Sequence, residues 1–246
     1  MDYRNACLKA LEICESKFRL IEAATPPPQW VPWDGKHNWR YLEKLPSQMV
    51  LQKLARQITG LKSLEILLQA GFLQEVGVVF RMLDEIGEDI QFIALGISTG
   101  KWTENHKKYA DFFWSEADDD RQPTVRRKNI RAFVNRAFDS QDPSTADSVG
   151  QRIHKAFSDY IHAWSAPIMG MVWGPPARFQ LEGIRDDDAR WPYISQAPSY
   201  YYRAALSTAF ASKVTLPEKI NDSVYAEICQ FESEYSPLIF PTSQGK

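Results

Sequence analysis

The chain is poor in the features that announce chemistry. Its 3 cysteines, Cys7, Cys14 and Cys229, show no CxxC spacing and lie far from any histidine. That excludes a disulfide-stapled secreted scaffold and any sequence-readable metal motif. No run approaches the roughly 18 uncharged apolar residues of a membrane-spanning helix. Asp2, Arg4, Lys9 and Glu12 break up the opening residues, so no leader is read there and a soluble, cytoplasmic chain is expected. A net charge of -2 excludes global attraction to nucleic acid or an anionic membrane, while leaving room for a local basic patch. There is no GxSxG, no HExxH, no phosphate-cradling glycine loop and no ExxH pair of the di-iron type. No cofactor and no metal are therefore expected. No internal repeat occurs, and the only low-complexity tract is Pro26–Pro28.

What the chain does have is helical periodicity. With 44% hydrophobic residues in 246, it supports one domain with a real core. From Gln48 to Ile97, Leu51, Leu54, Ile58, Leu61 and Leu68 mark one apolar stripe. Phe72, Val76, Val79, Leu83, Ile86, Ile90 and Ile93 mark a second. A single straight helix of this length would span about 75 Å, too long for a compact domain. Gly71 sits where the stripes meet, so the spacing predicts two helices joined near Gln69–Phe72 as a tight antiparallel hairpin. Gly77 and Gly87 fall inside the second helix, either as close helix contacts or as tolerated interruptions.

Around this spine, a first helix is expected over residues 2–22, with Cys7, Leu11, Cys14, Phe18 and Ile21 on its buried face. The prolines at 26–28 stop it. Trp30, Trp33 and Trp39 follow in a turn-rich loop and are expected to fold back over the core, with a ligand-stacking platform as the alternative. His37 in that loop is expected in solvent. Thr103 caps a short helix on which His106, among charged neighbours, is expected at the surface. An acidic run (Glu116, Asp118, Asp119, Asp120) precedes Arg121, Arg126, Arg127, Lys128, Arg131 and Arg136. With Ile130, Phe133 and Val134, residues 126–136 read as an amphipathic helix with a basic face. That face either contacts phosphates, with RNA as the partner, or is a solvated face paired with the acidic run. After the loop at 139–148, a helix from Val149 places His154, Ser158 and His162 along one side. Regular structure is expected to give way over 163–198, which reads as a lid, a ligand-binding loop or a partner surface. Two helices then fill 199–236, the second opened by a capping box at Thr215–Glu218. The expected architecture is a single all-α domain over 1–246, an up-and-down bundle of about seven or eight helices with the long hairpin at its centre.

The candidate chemistry is narrow. Arg81 and Glu85 are four apart in the most apolar part of the second hairpin helix, so their side chains can meet. They are either a structural clamp between helices or the floor of a polar pocket. Asp84 and Glu88 share the same spacing with like charge and are expected to face water. His162, at a helix end beside the long loop, is the best-placed general acid–base, in the possible company of Ser158, Tyr160, Asp159 and Arg152.

Two passages together resemble a known group. LLQAGFLQEVGVVFRMLDEIGEDIQFI is similar to the Arg–x3–Glu helix of the DUF5677 and AbiV-like proteins, and SDYIHAWSAP to their later histidine segment. These proteins belong to the HEPN helical-bundle superfamily. On that resemblance Arg81 and Glu85 match the first motif and His162 the second, with Ser158 and Tyr160 beside it. The resemblance covers about residues 46–165 and implies a homodimeric HEPN-like bundle, RNA-binding or RNA-cleaving, in stress or phage defence. It implies metal-independent cleavage by ribose 2′-hydroxyl attack, with His162 as acid–base, Arg81 on the phosphate and Glu85 orienting Arg81. The superfamily's usual pair is Arg followed about four to six residues later by His. Here Arg152 precedes His154 by two and His162 by ten. Two other classes remain open: a non-enzymatic interaction or scaffold protein using its Trp- and Tyr-rich loops, and a small-molecule-binding domain with an apolar cavity under 163–198.

Overall fold

In the computed structural model, residues 2–33, 35–115, 125–137, 160–162 and 164–240 are described, with the side chain of Trp33 left aside. The acidic run at 116–120, the loop at 139–148 and the helix expected from Val149, with Arg152, His154, Ser158 and Asp159, lie outside them.

Helix α1 (Tyr3–Ala24) starts at Asp2, whose carboxylate accepts the Arg4 backbone N–H at 2.9 Å. Its three- and four-residue spacing buries Cys7, Ala10, Cys14 and Ile21 on one face. Beyond the prolines the chain forms an antiparallel hairpin of β1 (Gln29–Trp33) and β2 (Lys36–Arg40), pairing Trp30 with Trp39 and Pro32 with His37. This departs from the all-helical expectation. Asp34-Gly35 is a two-residue hairpin-turn sequence, and Gly35 supplies φ +71°. Pro32, lacking an N–H, is tolerated because a two-stranded ribbon is all edge.

Helix α2 (Pro46–Ala70) ends at Gly71, φ +79°, and α3 (Leu73–Ser98) follows almost at once and packs against it. Gly71 is also touched from outside. A Cβ there would sit 2.1 Å from the Ile184 carbonyl oxygen, and the Ile184 N–H donates to the Gly71 carbonyl at 2.8 Å. The α2–α3 corner thus needs glycine both for its backbone angle and for a close neighbour.

Helices α4 (Glu104–Trp114) and α5 (Arg127–Ala137) lie against α3. Within 163–198 the described chain is not irregular throughout. It holds α6 (Ser165–Met169), the short hairpin β3 (Val172–Trp173) and β4 (Arg178–Phe179), and α7 (Asp187–Ile194). These elements are shorter than the window over which periodicity is visible.

Helix α8 (Ala197–Thr215) packs on α1, α2, α3 and α9 (Glu218–Ile239). Its small residues Ala204, Ala205, Ser207, Thr208 and Ala211 are all buried, which lets four helices approach it. Ser207 and Thr208 stay satisfied by donating to the carbonyls of Arg203 and Ala204, each at 3.0 Å. Tyr201, 1% exposed, donates its hydroxyl to the Leu61 carbonyl at 2.8 Å. The capping box expected at Thr215 does not form. Its hydroxyl donates back to the Ala211 carbonyl at 2.7 Å as the last turn of α8, and Pro217 caps α9.

Candidate functional site

The polar side of α3 carries the sequence candidates. Residues at i, i+3, i+4 and i+7 share a helix face, so Arg81, Asp84, Glu85 and Glu88 form one stripe, with Asp89 at its edge. Arg81 Nε donates to Glu85 Oε1 at 3.1 Å, the i,i+4 pair expected from spacing. The pair is one part of a wider ion network. Arg127 of α5 donates to the Glu85 backbone carbonyl at 3.1 Å and to Asp89 Oδ1 at 2.5 Å, and its Nη2 lies 3.7 Å from Glu85 Oε2. Lys53 of α2 reaches Asp89 Oδ2 at 2.7 Å. Arg131 Nε donates to Glu88 Oε1 at 2.7 Å, and Arg203 of α8 pairs with Asp84 while lying 4.0 Å above the Tyr200 ring.

This corrects the expectation that Asp84 and Glu88 face water. Each is partly buried and neutralised by an arginine from another helix, so their mutual repulsion is offset. Burial pushes both carboxyls above the usual range, and Arg203 at Asp84 and Arg131 at Glu88 only partly oppose it. Asp89, 2% exposed, lies between the charges of Lys53 and Arg127. At Arg127, burial works against the charge, but Asp89 and then Glu85 outweigh it and hold the guanidinium protonated. One sequence signal matches this arrangement: acidic i,i+4 pairs at 84/88 and 85/89 mirror the basic i,i+4 pair at 127/131.

Tyr160 packs onto the same helix. A Cβ at Gly77 would sit 2.5 Å from its ring, one turn before Arg81. Its hydroxyl lies 3.1 Å from that of Tyr193 in α7. Gly77 is thus a contact glycine, whereas a Cβ at Gly87 would make only ordinary contacts, 3.4 Å from Gln57 Nε2 and 3.5 Å from Ser207 Oγ. His162 is exposed, and among the described residues no hydrogen bond joins it to Arg81 or Glu85. Ser158 is outside the described residues. Arg81, Glu85 and Tyr160 are therefore brought to one side of α3.

The basic helix divides its charges. Arg127 and Arg131 turn inward to the α3 carboxylates, whereas Arg126, Lys128 and Arg136 are exposed. Arg136, Asn129, Lys101 and Asn105 line an open cleft of about 820 Å³ where α5 meets the start of α4.

His106 is 1% exposed, not at the surface. Its ring stacks on Phe92 at 3.8 Å, fitting because Gly96 has no Cβ to obstruct it. Nδ1 accepts the Thr103 N–H at 3.1 Å, which leaves Nε2 to donate to the Phe92 carbonyl at 3.0 Å. The ring is thus a neutral imidazole, and burial lowers its pKa despite the Phe92 carbonyl.

Trp30 and Trp39 are 55% and 60% exposed, so they do not fold back over the core. Their rings lie 5.1 Å apart across the β1–β2 hairpin, and His37 stacks on Trp30 at 6.1 Å. The cross-strand partner of each tryptophan is the other, which gives the hairpin its stability without burial in the bundle. A second exposed group runs through 164–191, with Trp164, Met169, Phe179 and Leu181, the last 78% exposed.

Among the described residues, no helix is long and apolar enough to cross a membrane, and no cluster of His, Cys, Asp and Glu has the make-up of a metal site. No family model, no curated protein and no solved structure matches the chain.

Proposed function

We propose that this chain is a non-enzymatic interaction protein: a helical scaffold that self-associates through segment 164–191 and presents the Trp30–Trp39 hairpin to a protein partner. The observation that carries this reading is the number of large exposed apolar side chains along 164–191, where Trp164, Met169, Phe179, Leu181 and Trp191 are each more than half exposed. Monomeric proteins seldom expose contiguous apolar patches of more than a few hundred Å². The same segment exposes charges of both signs, Arg178 and Arg185 beside Asp186, Asp187 and Asp188. A patch with both signs can complement itself across a two-fold axis, so a second copy of the chain is its first occupant. A dimer then displays two Trp30–Trp39 hairpins, which raises avidity for a multivalent partner.

In this reading Arg81–Glu85 is a clamp within the ion network that seats α5 and α8 on α3. The α2–α3 pair serves as the central hairpin of a HEPN-like bundle, and the chain works in the cytoplasm. The reading expects sedimentation velocity at micromolar protein to give a dimer. Phe179→Asp/Leu181→Asp, at exposed positions, gives a monomer with unchanged circular dichroism. A wild-type chain that stays monomeric removes the self-association.

The competing reading is RNA binding or metal-independent RNA cleavage, and what favours it is the cleft holding Lys101 and Arg136 beside the exposed Arg126 and Lys128. Incubation with labelled RNA separates the two. Cleavage by the wild type that is lost in His162→Ala replaces the scaffold reading with a ribonuclease.

A further inference from the structure

Where the end of α3 and the start of α4 meet α5, the cleft of about 820 Å³ holds two cations, Lys101 and Arg136. Neither forms an ion pair among the described residues. Among those residues no carboxylate lines the cleft, and Glu104, beside it in the chain, is held by Lys107 at 2.6 Å. Arg136 Nε donates to the Ala132 carbonyl at 2.9 Å, which leaves its two exposed Nη groups for a ligand.

The side-chain amides of Asn105 and Asn129 also line the cleft and make no hydrogen bond among the described residues. Each offers a donor and an acceptor together. Ala132 and Phe133 supply an apolar wall beside them. The volume falls within the roughly 300–1,000 Å³ of ordinary ligand clefts.

Two unneutralised cations in one concave site select an anion of about two charges. A phosphate monoester carries about -1.5 to -2 at neutral pH, and it accepts charge-assisted hydrogen bonds from arginine and lysine. The amides select what the phosphate is attached to, because a hydroxylated body uses donors and acceptors at once. The C–H face of a sugar ring lies against Phe133. Helix α5 itself disfavours a polymer. Arg127 and Arg131 turn inward to the α3 carboxylates, which breaks the run of cations along which a phosphate chain would lie.

We infer that this cleft binds a small sugar phosphate, its phosphate on Lys101 and Arg136 and its hydroxyls on Asn105 and Asn129. The site shares no residue with segment 164–191 or the Trp30–Trp39 hairpin, so its occupancy and the dimer are read separately.

The test is isothermal titration calorimetry on the whole chain at one fixed low salt concentration, with glucose 6-phosphate, glucose and inorganic phosphate. Glucose 6-phosphate binds saturably, and glucose and inorganic phosphate each bind about tenfold more weakly or not at all, since each lacks half of the contacts. Lys101→Met/Arg136→Met, at exposed positions, weakens glucose 6-phosphate about tenfold with circular dichroism unchanged. Arg126→Met/Lys128→Met, exposed on the same basic segment but outside the cleft lining, leaves it within about twofold. An absence of saturable glucose 6-phosphate binding overturns the inference, as does equal affinity for either fragment, and those comparisons do not depend on any variant folding. Undiminished affinity in a folded Lys101→Met/Arg136→Met overturns it too. An equal loss in both double variants also overturns it, because the binding is then to a diffuse basic face, as RNA would use.

Discussion

His106 is buried on α4 although every residue beside it in the chain is polar. Glu104, Asn105, Lys107 and Lys108 flank it and suggest solvent, but at helical spacing those residues occupy other faces of α4. The imidazole is instead enclosed by Phe92, Phe133 and Trp102. Protonation would put a second proton on Nδ1, against the Thr103 N–H that donates to it. The folded-state pKa is therefore below the ordinary value of about 6.5, whereas the unfolded chain titrates near it. The unfolded state takes up the proton first as pH falls. Stability from this residue is complete above about pH 6.5 and is lost as pH drops toward the folded pKa, by at most about 1.4 kcal/mol per pH unit. Asp84 and Glu88, with raised pKa values, act in the opposite sense, losing stability as pH rises out of the carboxylate range. Urea unfolding at a series of pH values from neutral to mildly acidic checks this. The His106 contribution, read as the wild-type stability minus that of His106→Phe, falls over that interval. His106→Phe, which keeps the stack but forfeits the ring's three hydrogen bonds to Thr103 and the Phe92 carbonyl, starts lower and declines less steeply. Parallel declines in the two proteins would show that His106 is not the group responsible.

At the scale of elements, α2 and α3 are legible because their apolar stripes are long and glycine separates them. The rest of that corner is not legible. Gly71 touches Gly183–Ile184, more than a hundred positions later, and no local pattern encodes a contact at that separation. A Cβ at Gly183 would lie 2.2 Å from the Ala70 carbonyl oxygen, so two glycines let the backbones meet. Gly71→Ala is accordingly expected to destabilise by about 1–3 kcal/mol from its left-handed angle alone, with the clash at Ile184 added. Chemical denaturation measures it, and a change within a few tenths of a kcal/mol would show that the corner relaxes freely. The β1–β2 hairpin had a readable signal in Asp34-Gly35 flanked by Trp30, Trp33 and Trp39, masked by Pro32 and by the large apolar surface of tryptophan, which more often lies in a core. The Arg81–Glu85 meeting was legible from its i,i+4 spacing. Its network partners Lys53 and Arg127 were not, because pairing between helices depends on how α2 and α5 dock rather than on either sequence alone.

For the molecule as a whole, two kinds of cohesion hold different parts. Helices α1, α2, α3, α8 and α9 share an apolar core with α8 in contact with the other four. Helix α5 is joined to α3 by Ile130 and Val134, but also by Arg127 and Arg131 on the α3 carboxylates. Its attachment is thus more electrostatic than that of α8, and local opening should differ between them. Asp89→Asn tests this directly. It leaves the Lys53 and Arg127 charges facing each other across a neutral amide, a loss of about 3 kcal/mol at the low end for a broken buried pair, since Arg127 keeps 31% side-chain exposure. Native-state hydrogen exchange is expected to show faster exchange confined largely to α5 and the facing turn of α3, with α8 still opening only in global unfolding. Adding Arg127→Met removes one of the stranded cations, so the double variant is more stable than the sum of the two single losses. If α5 and α8 instead accelerate together in Asp89→Asn, Asp89 holds the entire bundle as one cooperative unit, and the charged stripe of α3 is part of the core rather than a clasp upon it.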